Sequence, residues 1–272
     1  MGRYKNSGFT LVELITVILI LGIVAVGVSS FVTFGTRIFV DSSSTDQAVN
    51  QSRYVLQRMN RELTNALPNS VRITHSGVTQ CIEFVPVITS SSYISLPTAG
   101  TPSRNTGSIF KDQSSVAINV NQRMYLLGLT TDEADIYGPQ DTNNASFVSL
   151  TEVTSAGDAL ALRFNNSVIF AANSARKRIF LTEMPVSYCA AGGELKRYDD
   201  YGFQITQPIA FNSGSNSVVA RDIVNNLADS ADLPFNFILS DDNHDIVQLN
   251  LKFQVLDQTI EYHHQVQVVN VP

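Results

Sequence analysis

The sequence is short of charge, and the charge it has is not basic. Lys and Arg number 18 against 24 Asp and Glu, a net charge of −6 over 272 residues. That balance offers no basic footprint for a nucleic acid, and none is expected as a partner. Charged residues make up 15% of the chain, below the roughly 25% of ordinary soluble domains. Ser, Thr, Asn and Gln take their place, as suits an exported protein. Tryptophan is absent, which excludes nothing. Histidine occurs only at His75, His244, His263 and His264, so a hydrolase constellation has little to build on. No G-x-S-x-G, P-loop or H-E-x-x-H pattern occurs. The chain reads as a non-enzyme that needs no cofactor.

Cysteine is almost absent too. Cys81 and Cys189 lie far apart. In an exported domain they can form one disulfide closing a loop of about 109 residues, which the chain-entropy model credits with roughly 4–5 kcal/mol. In a cytosolic domain two free buried thiols are the alternative. No metal is expected. His263 and His264 are neighbours on a strand pattern and point to opposite faces. The oxygen-rich tracts Thr131–Asp135 and Asp241–Asp245 lack EF-hand spacing and read as solvated turns.

Against this polar background stands one apolar run, Phe9 to Val28, in the opening MGRYKNSGFTLVELITVILILGIVAVGV. About 20 residues at 1.5 Å rise span a hydrocarbon layer of about 30 Å. Arg3 and Lys5 precede the run, and the first charge beyond it is Arg37, so the positive-inside bias leaves the N-terminus in the cytoplasm. An ordinary signal peptide has a shorter apolar core, although Ala25-Val26-Gly27 and Gly27-Val28-Ser29 are loose matches to its cleavage site. An uncleaved anchor is the other plain reading. Neither accounts for Glu13, whose carboxylate inside the run costs roughly 2.5–3.5 kcal/mol on insertion scales.

A basic leader ending in Gly8, followed by Phe9-Thr10-Leu11-Val12-Glu13 and an apolar helix, resembles the class III signal of type IV pilins and type II secretion pseudopilins. The resemblance implies cleavage between Gly8 and Phe9 by a prepilin peptidase, N-methylation of Phe9, and Glu13 as the fifth residue of the processed chain. It also implies a reason for the glutamate. The carboxylate of an incoming subunit pairs with the Phe9 amine of a neighbour already in the filament, so two groups penalised by hydrocarbon neutralise each other. Snorkelling of Glu13 to the interface is the simpler alternative.

Beyond the run, Ser42-Ser43-Ser44-Thr45 weakens the helix pattern. A 3.6-residue period returns from Asp46, with Val49, Ser52, Val55, Met59, Leu63 and Leu67 on one arc. Arg58 and Glu62 are spaced for an i,i+4 pair, Tyr54 lies on the polar arc as a candidate subunit contact, and Pro68 ends the helix. From Val71 onward the pattern is of strands and polar turns, among them Cys81–Val85, Ser115–Val120, Arg123–Leu129, Phe147–Val153, Ala159–Phe164 and Ser167–Ala171. Later strands are Arg178–Leu181, Val186–Cys189, Glu194–Tyr198, Ile246–Val255 and Thr259–Val269. Thr101–Gly107 and Ser213–Ser217 read as surface loops.

The expected fold is therefore α+β and pilin-like. Residues 1–8 form a leader, 9–34 a transmembrane helix, 35–67 an amphipathic helix and 68–272 one β-rich domain. The hairpin around Gly192-Gly193 and the run Gln57–Leu63 resemble J-type minor pseudopilins. The length, the two cysteines and the closing Val269–Pro272 resemble minor pilins of the mannose-sensitive haemagglutinin (MSHA) pilus. The proline that bends the helix of major pilins is absent near Ser30, which suits a minor subunit. The resemblance implies an inner-membrane protein with a periplasmic domain that reaches the pilus at or near its tip. The implied partners are the prepilin peptidase, other minor pilins, the major pilin and the assembly platform. A J-type pseudopilin of a type II secretion system is the alternative. From another class comes a tip-presented adhesin or DNA-uptake receptor, whose contacts would sit on the loops around Ser90–Asn105 and Asn212–Asn216.

Overall fold

Helix α1 runs from Leu11 to Thr64 without a break in this computed structural model, which describes residues 9–111, 118, 122–127, 133–171, 174, 176–238 and 244–269. The serine-threonine tract at Ser42–Thr45 was expected to weaken the helix and does not. The Thr45 hydroxyl donates to the carbonyl of Asp41 at 2.9 Å, so it is satisfied within the helix and does not compete for a turn. The helix also ends three residues before Leu67. The Leu67 amide donates to Val85 O at 2.8 Å, and Asn65 O accepts from Val87 N at 3.0 Å, so strand backbone takes over from the helical ladder.

After α1 come β1 (Arg72–His75) and β2 (Thr79–Phe84). Then follow β3 (Val87–Ser95), β4 (Arg104–Phe110), β5 (Arg123–Tyr125), helix α2 (Glu133–Tyr137), β6 (Phe147–Ala156), β7 (Ala159–Val168) and β8 (Arg178–Thr182). The chain closes with β9 (Val186–Ala191), β10 (Glu194–Asp199), β11 (Ser215–Ala220), β12 (Phe235–Ile238), β13 (His244–Val255) and β14 (Gln258–Val269). Three sheets result: β1-β2-β9-β10-β11, β12-β13-β14, and a closed barrel in the order β3-β4-β7-β6-β5-β8. The architecture is α+β and pilin-like, a long N-terminal helix followed by a β-rich region.

The barrel is an insertion. It leaves the five-stranded sheet after β2 and returns to it at β9, and those two strands are antiparallel neighbours whose ends, Phe84 and Val186, pair. Residue alternation on β5 serves two cores. Met124 lies inside the barrel with its cross-strand partners Val148 and Leu181. Tyr125 faces the other way with Phe147 and Phe180, onto Leu67, Val85 and Ile136. A third core joins Val55, Met59 and Leu63 of α1 to apolar residues of the two open sheets, including Ile82, Tyr188 and Leu249. Each of these three helix residues is fully buried, so the apolar arc of the sequence is the packed face.

Several expected loops are strands. Thr101–Gly107 contributes Arg104–Gly107 to β4, the stretch around Ser90 is β3, and Ser215–Ser217 opens β11. Asn165 and Asn166 do not break β7, so Ser167–Ala171 is not a separate strand. Polar residues mislead here because they occupy outward positions, while the pairing is supplied by neighbouring strands far off in sequence. Gly107 is a strand glycine required by close packing: a Cβ there would lie 2.6 Å from Leu96 Cδ2 and 2.9 Å from Phe164 Cζ. Gly107→Ala is expected to destabilise the protein by about 1–3 kcal/mol through overpacking, read as a lowered melting temperature. Of the other expectations, most of Ser115–Val120, and residues 128–129, 131–132, 241–243 and 270–272, fall outside the described residues. Glu133, expected in a solvated turn, opens α2.

A buried ion pair ties the five-stranded sheet to the segments beside it. Arg72 on β1 meets Glu83 on β2 at 2.5 Å, with side chains 5% and 0% exposed. Arg72 also reaches Glu133 of α2 at 2.6 Å, donates to the carbonyls of Gln204 and Ile205 at 2.8 Å, and lies 3.6 Å above the Tyr137 ring. The second oxygen of Glu83 accepts from Tyr201 at 2.7 Å. Burial pushes the Glu83 carboxyl above the usual carboxylate range, against the pull of the hydrogen bonds from Tyr201 and Arg72. A raised pKa means that the folded state holds this proton more tightly than the unfolded chain. The corresponding stability is complete below about pH 4 and is lost as pH rises through the folded value. Thermal melts of wild type and Glu83→Gln should therefore show the wild-type advantage shrinking from acid toward neutral pH. An advantage that grows over that range would mean that the charge on Arg72 outweighs burial.

Candidate functional site at the helix N-terminus

Phe9 and Thr10 precede the first helical residue, Leu11, and the helical ladder opens with Leu14 N donating to Thr10 O. Thr10 and Glu13 make one half of a capping box. The Glu13 amide donates to Thr10 Oγ1 at 3.4 Å, and that hydroxyl lies 3.5 Å from Glu13 Oε2. The signal for this, Thr-x-x-Glu ahead of an apolar run, is present in the sequence. It gives Glu13 an intramolecular role in starting the helix, in the turn where the helix dipole favours an anion. The capping contacts are long, which leaves the carboxylate available to a stronger partner.

From Phe9 to Val40 every side chain is exposed, Phe9 at 74% and Ile23 at 74% among them. An apolar surface of this extent is incompatible with water and calls for lipid or other subunits. The hydroxyls inside it are closed off within the helix: Thr16 donates to Glu13 O, Thr33 to Ser29 O and Thr36 to Val32 O, at 2.8–3.0 Å. α1 is the one described helix long and apolar enough to cross a membrane. Gly8 and the residues before it lie outside the described residues.

Residues 3–29 match the prokaryotic N-terminal methylation motif. This motif is a type IV pilin-like prepilin signal, and here it runs directly into the apolar helix. Gly8, Phe9 and Glu13 all fall within the matched residues. No curated protein and no solved structure matches the chain. The methylation motif covers the N-terminal segment alone, so what lies beyond it rests on the structure.

Cys81 and Cys189 stand directly opposite each other on β2 and β9, with Cα atoms 4.1 Å apart, and are joined as a disulfide. Tyr54 is 52% exposed and accepts from Arg58, which also donates to Glu62 at 3.0 Å. Glu62 in turn holds Arg197 of β10 at 3.1 Å, so the expected helix pair is one link in a chain that fastens α1 to the sheet. The two adjacent histidines are divided between faces: His263 meets Asn250 and His264 meets Asn60 of α1.

Proposed function

We propose that this chain is a minor pilin that helps to initiate, prime or cap a type IV pilus of the MSHA type, in the manner of an MshO-like subunit. The observation that carries the reading is the methylation motif with Glu13 inside it, on a helix whose apolar surface is bare. Prepilin peptidase cuts between Gly8 and Phe9 and methylates Phe9. The subunit waits in the inner membrane with its β-rich region in the periplasm, where an oxidising environment suits the Cys81–Cys189 disulfide. On assembly, Glu13 leaves its weak contact with Thr10 for the Phe9 amine of a neighbour, and the pairing sets the axial register with the major pilin and the other minor pilins.

A J-type pseudopilin of a type II secretion system is favoured by one feature, the β9–β10 hairpin closed through Gly192 and Gly193, both at positive φ. Deleting the gene and scoring surface pili and secreted enzymes in one culture separates the two. Lost pili with normal secretion supports the minor pilin; normal pili with enzymes held in the periplasm supports the pseudopilin. Within either machine, Glu13→Gln is expected to be processed normally and to enter filaments poorly. Undiminished incorporation would show that the carboxylate charge is not what pairs.

A further inference from the structure

Three side chains form a polar row across adjacent strands of the barrel. Ser149 on β6 and Thr182 on β8 are the cross-strand partners of Arg123 on β5, so all three point from the same face. The row lines a cleft of about 640 Å³, whose other wall includes Glu183, Asp200 and Phe203. That volume is in the range of small-ligand sites.

Two features make this cleft more than a surface depression. Thr182 is 1% exposed, and its hydroxyl has no hydrogen-bond partner among the described residues, although a buried polar atom left in that state costs about 1–3 kcal/mol. Arg123 is the cross-strand partner of Thr182, and its guanidinium carbon lies 3.5 Å from the Phe203 ring centroid and 4.1 Å from that of Phe147. Its only hydrogen bonds among the described residues are long ones from Nη1, to Tyr125 Oη at 3.4 Å and Ile136 O at 3.5 Å. Among the described residues its Nε and Nη2 donors have no acceptor, and its cross-strand partner Thr182 carries the unpartnered hydroxyl. A planar fork flanked by hydroxyls is the chemistry that receives a carboxylate. Arg197, also on the wall, is already neutralised by Glu62 and Asp199. Glu183 and Asp200 have no ion pair among the described residues, and they disfavour a polyanion while welcoming a cation.

We propose that this cleft binds a zwitterion of the amino-acid or peptide class. The carboxylate lies on Arg123, Thr182 and Ser149, and the ammonium group faces Asp200 and Glu183. The proposal is independent of filament assembly.

The test is calorimetric titration of the full processed chain in detergent micelles with trialanine, its C-terminal amide, its N-acetyl form, alanine and inorganic phosphate. Trialanine is expected to bind saturably. The amide should bind at least about 10-fold more weakly, and the acetyl form several-fold more weakly. Thr182→Val removes the hydroxyl at nearly constant shape and should weaken trialanine several-fold with a melting temperature equal to or above that of wild type. Arg123→Gln should abolish binding. Asp200→Asn, at a position whose positive φ of 56° asparagine tolerates, should weaken trialanine but not its acetyl form. Alanine binding as tightly as trialanine assigns a free amino acid, and tighter trialanine a peptide end; both support the class. Absence of saturable binding, equal affinity for the amide, phosphate binding as tightly as trialanine, or indifference to Thr182→Val each overturns it.

Discussion

Glu83→Ala is expected to destabilise the β-rich region by about 3–5 kcal/mol, because it removes the buried carboxyl that accepts from both Arg72 and Tyr201 and leaves those buried donors without it. For a region of this size that is roughly a 10 °C fall in melting temperature. Arginine cannot escape by losing its proton. Glu133 remains within reach, but at 54% exposure its attraction is screened, and it cannot stand in for a fully buried partner. The double variant Arg72→Met/Glu83→Leu removes both charges and should regain most of the loss, since a well-packed apolar pair often matches a buried ion pair. Thermal unfolding of the two variants checks this. A single variant within about 1 kcal/mol of wild type would mean that water reaches the pair.

Removing the disulfide should have the next largest effect on stability. Cys81→Ala/Cys189→Ala is expected to cost about 2–5 kcal/mol, the range seen when a bridge closing a long loop is lost. The position makes the upper half of that range the better expectation. The barrel leaves and re-enters the five-stranded sheet through β2 and β9, and the bridge joins those strands near the point of exit. Without it, the ends of the insertion keep the β2–β9 backbone pairing and the packing around Ile82 and Tyr188, but no covalent tie. Both cysteines are buried, at 0% and 4% exposure, so reductant should act only as the protein opens. Melting scans with and without reductant measure the effect. A reduced protein that melts with the oxidised one would show that the stem needs no bridge.

The helix was legible because its signals are local. The apolar run, the returning 3.6-residue period and the Arg58–Glu62 spacing all act within one or two turns. Its end was less so, since Leu67 is captured by Val85, a strand residue that helix chemistry does not foresee. The same limit hid the barrel. Arg104–Gly107 is polar and ends in glycine, and only packing against Leu96 and Phe164 explains why that glycine belongs in a strand. Ser149, Arg123 and Thr182 are scattered in sequence and meet only through strand register. Glu13 was conspicuous for the opposite reason: a carboxylate in an apolar run violates the local pattern, and such violations mark function. Its cap with Thr10 is equally local, a Thr-x-x-Glu spacing within one turn.

The intact mass of the protein extracted from membranes tests the central claim most directly. The account predicts the chain beginning at Phe9, heavier by the CH2 that one N-methylation adds and lighter by two hydrogens for the disulfide. A mass that retains Met1 to Gly8, or one that begins beyond Ala25, would contradict it.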